Sequence, residues 1–385
     1  SMSPETREVM NQVLDTLYSN LVGAIAAGRK KDAAAVRELI DRGPFVASEA
    51  LKAGLIDKLG YEDDLIADLQ GAVKQTSVKK VDAREYLRSI PPDPSRTRIA
   101  LVVAEGTILQ GGGDDGFGSS GMVRSAAFAK LLRSVKSDST VKGVIVRIDS
   151  PGGDAIASDD ILHEMKELSK AKPMVISMSD VAASGGYFMA VTGDPIVAYP
   201  GTITGSIGVI TAKPNLKGLY DKLGVSKDVL MRGRFAGLDS DYKPLSPEEK
   251  AKLEESIEST YRGFLNRVAT GRRKPQDQIE PLAQGRVWMG VQAKTNGLVD
   301  QLGGLDTAIE VLRQKAKIPA EKKLALVPYP PRRSLFELLL SKADDTAMTE
   351  AKIGDLLAKV PGGRWLRPAL EGGTLALMPY YIEVK

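Results

Sequence analysis

The sequence predicts a mixed α/β fold built from stacked β-α units. Short apolar runs typical of buried strands alternate with longer segments whose apolar residues recur at helical spacing. Two of the apolar runs end in glycine-rich turns, near residues 152 and 185, and each turn opens a helical segment. The length of 385 residues, with 43% hydrophobic and 26% charged residues, fits two globular domains or one large one.

The N-terminal part of the chain shows helical patterns. The predicted helices cover residues 5–27, 32–41, 47–59 and 61–87. Pro44 is expected to break the second helix. Residues 47–59 have a helix-turn pattern that ends on Gly60. The proline-rich segment at residues 91–94 then predicts a linker.

Strands and helices alternate after this linker. The predicted strands cover residues 98–105, 142–148, 173–178 and 195–198, and the predicted helices cover residues 155–169 and 246–270. The amphipathic helix 246–270 is expected to pack against a neighbouring unit. The glycine-rich segment 111–118 lacks the Gly-Lys-Ser/Thr ending of a phosphate-binding loop, so we expect a mobile loop there.

The C-terminal part of the chain is less regular. A short apolar segment at residues 334–340 could contact lipid, dock on another subunit or close its own core. Residues 374–382 have a strand-like pattern. Neither segment predicts any chemistry.

Ser184 is the candidate nucleophile. It lies in the segment Val181–Tyr187, which follows an apolar run and places two glycines directly after the serine. Glycines let backbone and substrate approach closely, and a helix N-terminus offers unpaired N–H groups to a developing oxyanion. A reactive serine needs this pattern.

A second glycine-rich strand end lies upstream, at Arg147–Asp154. An ordinary tight turn would explain either segment alone. Two such strand ends, however, can face one another and supply one N–H each to a shared oxyanion hole. We therefore predict Gly153 and Gly185 as the two donors.

The cysteine and histidine content and the net charge exclude several other kinds of site. The chain has no cysteine, which excludes disulfides, thiol catalysis and cysteine-based metal sites. Its only histidine, His163, lies on the polar side of the predicted helix 155–169, so neither a Ser-His-Asp triad nor a histidine-based zinc site is expected. The net charge of +4 is dispersed, so no nucleic-acid partner is expected. No metal or cofactor is predicted.

Three motifs in order, Ile148–Gly153, Ala182–Tyr187 and Pro200–Val209, resemble a known family. It is the signal peptide peptidase A family, membrane-associated Ser/Lys proteases of the Clp protease/crotonase fold, and the looser similarity covers residues 98–312. The resemblance implies a serine endopeptidase with Ser184 as nucleophile, a lysine as general base and no cofactor. The implied substrates are cleaved signal peptides and other short apolar peptides.

The lysine is the part of the family pattern that this sequence lacks. In members with a single catalytic unit it lies in a loop before an acidic helix start, and the corresponding position here falls at or near Ala236. Lys213 and Lys243 are the nearest alternatives in sequence. Lys243 lies on a predicted polar loop, where burial sufficient to depress its pKa is not expected.

An internal repeat in the sequence explains why the family lysine is not found near Ala236. Ser3-Pro4-Glu5 matches Ser246-Pro247-Glu248, and further pairs as far as Gly60 and Gly303 keep the same offset of 243 residues. The long form of the family is duplicated, with the lysine in its first half and the serine in its second. The resemblance therefore implies a lysine upstream of Ser1.

The predicted organisation follows from this repeat. It comprises the closing helical part of a truncated first repeat at residues 1–90, a linker at 91–97, a serine-bearing Clp/crotonase-like unit at 98–316, and a C-terminal extension at 317–385. The resemblance also implies a tetrameric homo-oligomer held at a bacterial cell membrane by an anchor upstream of this sequence. Its catalytic part would face the extracytoplasmic (periplasmic) side.

Two other functions remain open. A crotonase-type acyl-CoA enzyme would need acidic residues at the reacting carbon, and Asp154 and Asp180 are expected instead to be a helix cap and a turn. A non-catalytic scaffold or pseudoprotease is the other alternative, because Ala236 is not a lysine.

Overall fold

A computed structural model describes residues 2–90, 96–112, 121–330 and 375–377. The chain forms two compact units, Ser1–Arg96 and Thr97–Lys385. Most of the predicted glycine-rich loop 111–118 and all of the apolar segment 334–340 lie outside the described residues.

The first unit is helical in its described part. Its helices are α1 (Pro4–Arg29), α2 (Ala33–Arg42), α3 (Ala47–Lys52), α4 (Glu62–Val73) and α5 (Ala83–Ser89). The helix α1 begins where Ser3 accepts a hydrogen bond from the N–H of Thr6 at 3.2 Å, with proline at the first helical position. The predicted helix-turn pattern at residues 47–59 is the short helix α3 followed by a turn at Gly54, which has φ of 67°.

The described part of the second unit contains two sheets. Its strands are β1 (Thr97–Glu105), β2 (Thr107–Leu109), β3 (Met122–Arg124), β4 (Val141–Ser150), β5 (Gly152–Asp154), β6 (Met174–Ala183), β7 (Ile196–Ala198), β8 (Ile203–Gly205), β9 (Val287–Met289), β10 (Gln301–Leu302), β11 (Leu324–Tyr329) and β12 (Leu375–Leu377). The larger sheet has the order β10-β7-β6-β4-β1-β11, with β8 beside β6 and β9 beside β8. The smaller sheet has the order β12-β5-β2-β3. The pairs β1–β4 and β4–β6 are parallel, which confirms the predicted α/β class.

The helices of the described part of this unit are α6 (Ser125–Ser137), α7 (Ala155–Ala171), α8 (Gly185–Ala190), α9 (Lys217–Lys222), α10 (Pro247–Arg272), α11 (Gln276–Ile279), α12 (Gly290–Asn296) and α13 (Leu305–Lys315). Residues of α6, α7, α8 and α10 belong to the core cluster on one face of the larger sheet, and residues of α13 belong to the cluster on the other face. On β4, Val144 belongs to the main core cluster with Phe128 and Ile161, whereas its neighbour Ile145 belongs to a second cluster with Leu312. This alternation places successive strand residues on opposite faces, so both faces of the strand are apolar.

The helix α10 packs within its own unit. Phe264 and Val268 are buried in the main core cluster, and the Phe264 ring lies 4.7 Å from that of Phe188, centroid to centroid. The C-terminal half of its apolar face therefore packs within its own unit. Its partner there is the helix α8. Packing against a neighbouring unit stays a prediction for Leu253 and Ile257, which are only partly buried.

The helices α1 and α10 have the same local structure at the offset of 243 residues. Each has 26 residues, a serine N-cap and proline at the first helical position. Each ends on a left-handed residue, Lys30 with φ of 50° and Arg273 with φ of 52°. Because both ends of the two helices match, the repeat is a repeat of local structure as well as of sequence.

Ion pairs repeat in the same way. Arg29 binds Asp57 at 2.8 Å in the first unit, and Arg272 binds Asp300 at 2.5 Å in the second. The two pairs differ in burial, since the Arg29 side chain is 32% exposed and the Arg272 side chain 8%. One sequence pattern therefore serves an exposed contact in one unit and a partly buried contact in the other.

Acid should weaken the second unit through Asp138. Its carboxylate accepts hydrogen bonds from Thr140 and from the Tyr329 hydroxyl, and these lower its pKa from 3.8 to about 2. The resulting stabilisation is present above pH 3.8 and is lost as the pH falls through about 2. We expect urea midpoints of the wild type to fall over this window, and those of Asp138→Asn to fall less. Tyr329→Phe should move the fall to higher pH, and an unchanged pH profile in both variants would contradict this assignment.

Candidate active site

Ser184 lies at the junction between β6 and α8. Its backbone has φ of 52° and ψ of −117°, a conformation that residues other than glycine rarely adopt. The turn is held from both sides: the Ser184 N–H donates to the carbonyl of Gly205 at 2.8 Å, and its carbonyl accepts from the N–H of Phe188 at 2.7 Å. The strain is therefore maintained by hydrogen bonds to β8 and to α8.

The Ser184 hydroxyl is buried and has no hydrogen-bond partner among the described residues. An unsatisfied buried hydroxyl costs about 1–3 kcal/mol, so such groups are uncommon without a functional reason. The strained backbone and the unpaired oxygen coincide at one residue. This combination indicates that the Ser184 hydroxyl is not used to stabilise the fold and is free to react.

Ser206 is a second serine with the same properties, and sequence reasoning missed its role. It has φ of 48°, is 1% exposed, and its hydroxyl also has no partner among the described residues. It directly follows Gly205, whose carbonyl binds the Ser184 N–H. Its place after a glycine in the motif Pro200–Val209 was the available signal.

The two predicted oxyanion residues lie against one another. A Cβ placed on Gly185 would lie 3.0 Å from the Gly153 nitrogen and 2.6 Å from Oγ of Ser158. A Cβ on Gly153 would lie 1.9 Å from the carbonyl oxygen of Ile108. A side chain at Gly153 would clash with backbone, and one at Gly185 would require Ser158 or the Gly153 strand to shift. The structure thus places the backbones of Gly153 and Gly185 against one another, with Gly185 directly after Ser184.

Gly185 also occupies the first turn of α8, where backbone N–H groups have no partner within the helix. The N-terminal end of the helix carries a partial positive charge, although α8 is only six residues long. This N–H, with that of the adjoining Gly153 strand, is suited to an oxygen that gains negative charge.

The start of α7 fixes the Gly153 strand end. Asp154 caps this helix by accepting from the N–H of Ala157 at 2.7 Å, and its carbonyl accepts from Oγ of Ser158 at 2.7 Å. Asp180, in contrast, is an exposed residue within β6, so the expectation of a turn there was wrong. The carboxylate of Asp154 is therefore already bound as a helix cap. It is one of the two acidic residues that a crotonase-type acyl-CoA enzyme could have used.

Two titratable groups near the junction are perturbed by burial. Burial raises the pKa of Asp149, whose carboxylate accepts from the N–H of Val181 at 3.2 Å. Burial also raises the pKa of Tyr187, whose hydroxyl donates to the carbonyl of Leu298 at 2.9 Å. These hydrogen bonds hold the end of β6 and the start of α8, which flank Ser184. Neither Asp149 nor Tyr187 is a hydrogen-bond partner of the Ser184 hydroxyl.

The candidate lysines are engaged elsewhere. Lys243 donates to the carboxylate of the buried Glu249 at 2.6 Å, and this hydrogen bond is the main reason that the pKa of Glu249 is lowered. Lys213 donates to the backbone carbonyl of Lys243 at 2.5 Å. Ala236 lies exposed in a turn, and the only histidine, His163, is exposed on α7. None of the four is a hydrogen-bond partner of the Ser184 oxygen.

A serine at a strained strand-to-helix turn, with glycine backbones converging beside it, defines the class of nucleophilic-serine sites. The sequence matches peptidase family S49 over residues 1–76 and 166–319. The chain belongs to this family.

Individual relatives agree with the family match. The chain is 39% identical over 348 residues to the chloroplastic serine protease SPPA of Arabidopsis thaliana, covering 88% of this chain and 51% of that protein. It is 33% identical over 330 residues to protease 4 of Salmonella typhi, covering 82% of this chain and 52% of that protein. The chain thus spans about half the length of these relatives.

A ClpP1 variant from Listeria monocytogenes is similar in structure with a TM-score of 0.36 and 16% identity, over 55% of this chain and 94% of that one. Within the described part of the chain, no helix is both long and apolar enough to cross a membrane.

Proposed function

We propose that this protein is a serine peptidase of the signal peptide peptidase A type that cleaves short apolar peptides, cleaved signal peptides among them. The observation that carries the proposal is the unpartnered hydroxyl of Ser184, held at positive φ beside Gly153 and Gly185. The family membership and the names of the relatives support the same reaction.

The reaction is acyl transfer in two steps. Oγ of Ser184 attacks the carbonyl carbon of the scissile bond and gives its proton to a neutral lysine amine. The N–H groups of Gly153 and Gly185 stabilise the oxyanion, each contributing about 3 kcal/mol. The ammonium then protonates the leaving amine, and the acyl-enzyme ester forms. Water, deprotonated by the same amine, hydrolyses the ester and restores the Ser184 hydroxyl.

The general base is proposed to be a lysine from outside residues 1–385. Lys213 and Lys243 are engaged in other contacts, and Ala236 occupies the place of the family lysine. Relatives about twice as long, and the repeat in the first unit, support an origin in a preceding repeat. Ser206 would then position the incoming amine, since its free hydroxyl can accept a hydrogen bond from an ammonium.

The domain organisation belongs to this proposal. Residues 1–90 would be the closing helical part of a first repeat, residues 98–316 the serine-bearing unit and residues 317–385 an extension. We also propose a homo-tetramer at a bacterial membrane, with the site on the extracytoplasmic side, because the sequence resembles the duplicated form of the family.

The test is hydrolysis of a fluorogenic extended apolar peptide by the natural full-length polypeptide. Ser184→Ala should abolish hydrolysis. Lys213→Arg and Lys243→Arg should retain it within about threefold, because arginine keeps the positive charge and the donor but cannot act as a base. Ser206→Ala should lower kcat and change the pH profile of kcat, because the amine loses its orienting partner.

Two results would contradict parts of the proposal. Undiminished hydrolysis in Ser184→Ala would remove the nucleophile. Loss of hydrolysis in a folded Lys213→Arg or Lys243→Arg variant would place the base within this chain.

A further inference from the structure

A cavity of about 290 Å³ lies between the helices α7 and α10 of the second unit. Four residues of α7 line it: Asp159, Leu162, His163 and Lys166. They are spaced by three and four residues, so they share one face of that helix. None of the residues assigned to the candidate active site lines this cavity. It is therefore a separate feature of the unit.

Arg267 reaches the cavity from α10 and is held in place by two contacts. It donates two hydrogen bonds to the carboxylate of Asp159, at 2.5 and 2.8 Å. Its guanidinium carbon also lies 5.7 Å from the centre of the Phe188 ring, within the range of a cation–π contact. The charge of Asp159 is therefore already balanced by Arg267.

The ammonium of Lys166 has no such partner. Among the described residues, none forms an ion pair or a hydrogen bond with it, whereas Lys170, one turn further along α7, binds Glu167. Burial lowers the pKa of Lys166, and the positive charge of Arg267 lowers it further. An anion in the cavity would offset both effects, because it would favour the charged form of the amine.

The other properties of the cavity narrow the class of anion. Lys166 and Arg267 are positively charged and Asp159 is negatively charged, so the balance favours a ligand with one negative charge. The amide of Asn266 offers a neutral donor, and the buried Leu162 provides an apolar wall. The volume lies near the lower end of the range for ligand sites, about 300–1,000 Å³, so the ligand must be small.

We propose that this cavity binds a small organic monocarboxylate, with the carboxylate on Lys166 and the apolar part of the ligand against Leu162. Inorganic phosphate should bind more weakly, because it carries a charge of about −1.5 to −2 at neutral pH and would face the carboxylate of Asp159. The site does not depend on the proposed peptidase function, since none of its residues takes part in that reaction.

The test is a titration of residues 1–385 with N-acetylleucine, followed by NMR of the histidine side chain. His163 is the only histidine of this chain and lines the cavity, so its imidazole signals report on the site directly. The matched ligand without the charge is N-acetylleucinamide, and inorganic phosphate is the alternative anion. All titrations are made at one pH and one ionic strength, because salt screens the attraction.

N-acetylleucine should shift the His163 signals saturably, with a Kd in about the millimolar range, and the amide should not. Lys166→Gln should weaken binding at least about tenfold, because the charged donor is lost. Lys166→Arg keeps the charge and should bind within about threefold of the wild type. The matched control is Lys170→Gln on the same helix, which should change the Kd by less than about twofold. Circular dichroism checks that each variant is folded.

Four results would overturn the inference. They are the absence of a saturable shift with N-acetylleucine, equal binding of its amide, tighter binding of phosphate, and an unchanged Kd in a folded Lys166→Gln variant. None of these results bears on the chemistry at Ser184, because no cleavage is measured. Conversely, a loss of the peptidase proposal would leave the carboxylate site in place.

Discussion

Replacing Gly185 with alanine is expected to slow peptide hydrolysis by about 100- to 1,000-fold. The added methyl group would lie 2.6 Å from Oγ of Ser158 and 3.0 Å from the Gly153 nitrogen. Ser158 or one of the two backbones must move to make room, and this shift is expected to displace the N–H groups of the proposed oxyanion hole. The loss should appear mainly in kcat, because the oxyanion develops only in the transition state.

A matched control separates this effect from a general effect of alanine. Gly263 lies within α10, where an added Cβ meets nothing within 4 Å and no positive φ is required. Gly263→Ala should leave hydrolysis unchanged and stabilise the helix by about 0.5–1 kcal/mol. Circular dichroism checks that Gly185→Ala is folded. Hydrolysis within threefold of the wild type in folded Gly185→Ala would contradict the assigned oxyanion hole.

Replacing Arg272 with methionine is expected to lower the free energy of unfolding of the second unit by roughly 2 kcal/mol, because Arg272 is buried while the Asp300 side chain is 39% exposed. Arg272 binds both carboxylate oxygens of Asp300 and the carbonyl of Gly297, and its side chain is 8% exposed. Burial alone would raise the pKa of Asp300, but the bonds from Arg272 lower it overall. Removal of the guanidinium leaves this carboxylate without its partner charge.

The repeat supplies the control for this prediction. Arg29→Met removes the equivalent pair from the first unit, where Asp57 is 88% exposed, and should cost about 0–1 kcal/mol. Urea unfolding followed by tryptophan fluorescence reports on the second unit, because both tryptophans, Trp288 and Trp365, belong to it, and circular dichroism follows both variants. Equal losses in the two variants would show that burial does not distinguish the two ion pairs.

The central strands were predictable because they are buried on both faces. Strands β1, β4 and β6 lie inside the sheet, so their sequences read as apolar runs. The C-terminal end of β6 could not be predicted from an apolar run. The strand continues to Ala183 through Ser179 and Asp180, and Ser179 is accommodated because its hydroxyl accepts a hydrogen bond from Arg147 at 2.9 Å.

The site was only partly visible in the sequence. Ser184 and the glycines have a local signature, since a strand end, a serine and close backbone approach must occur together. The free hydroxyl of Ser206 depends on its strained turn, and the pairing of β12 with β5 joins residues more than two hundred positions apart. Neither has a local pattern, because both result from contacts made only in the folded chain.

The most direct test of the account is to label the protein with a fluorophosphonate and map the adduct by mass spectrometry. The natural full-length polypeptide should carry the adduct on Ser184, and Ser184→Ala should carry none. Residues 1–385 alone should react at least about 100-fold more slowly, because a general base contributes a factor of that size or larger. An adduct on another serine, or full-rate labelling of residues 1–385, would contradict a Ser184 nucleophile activated by an amine from outside this chain.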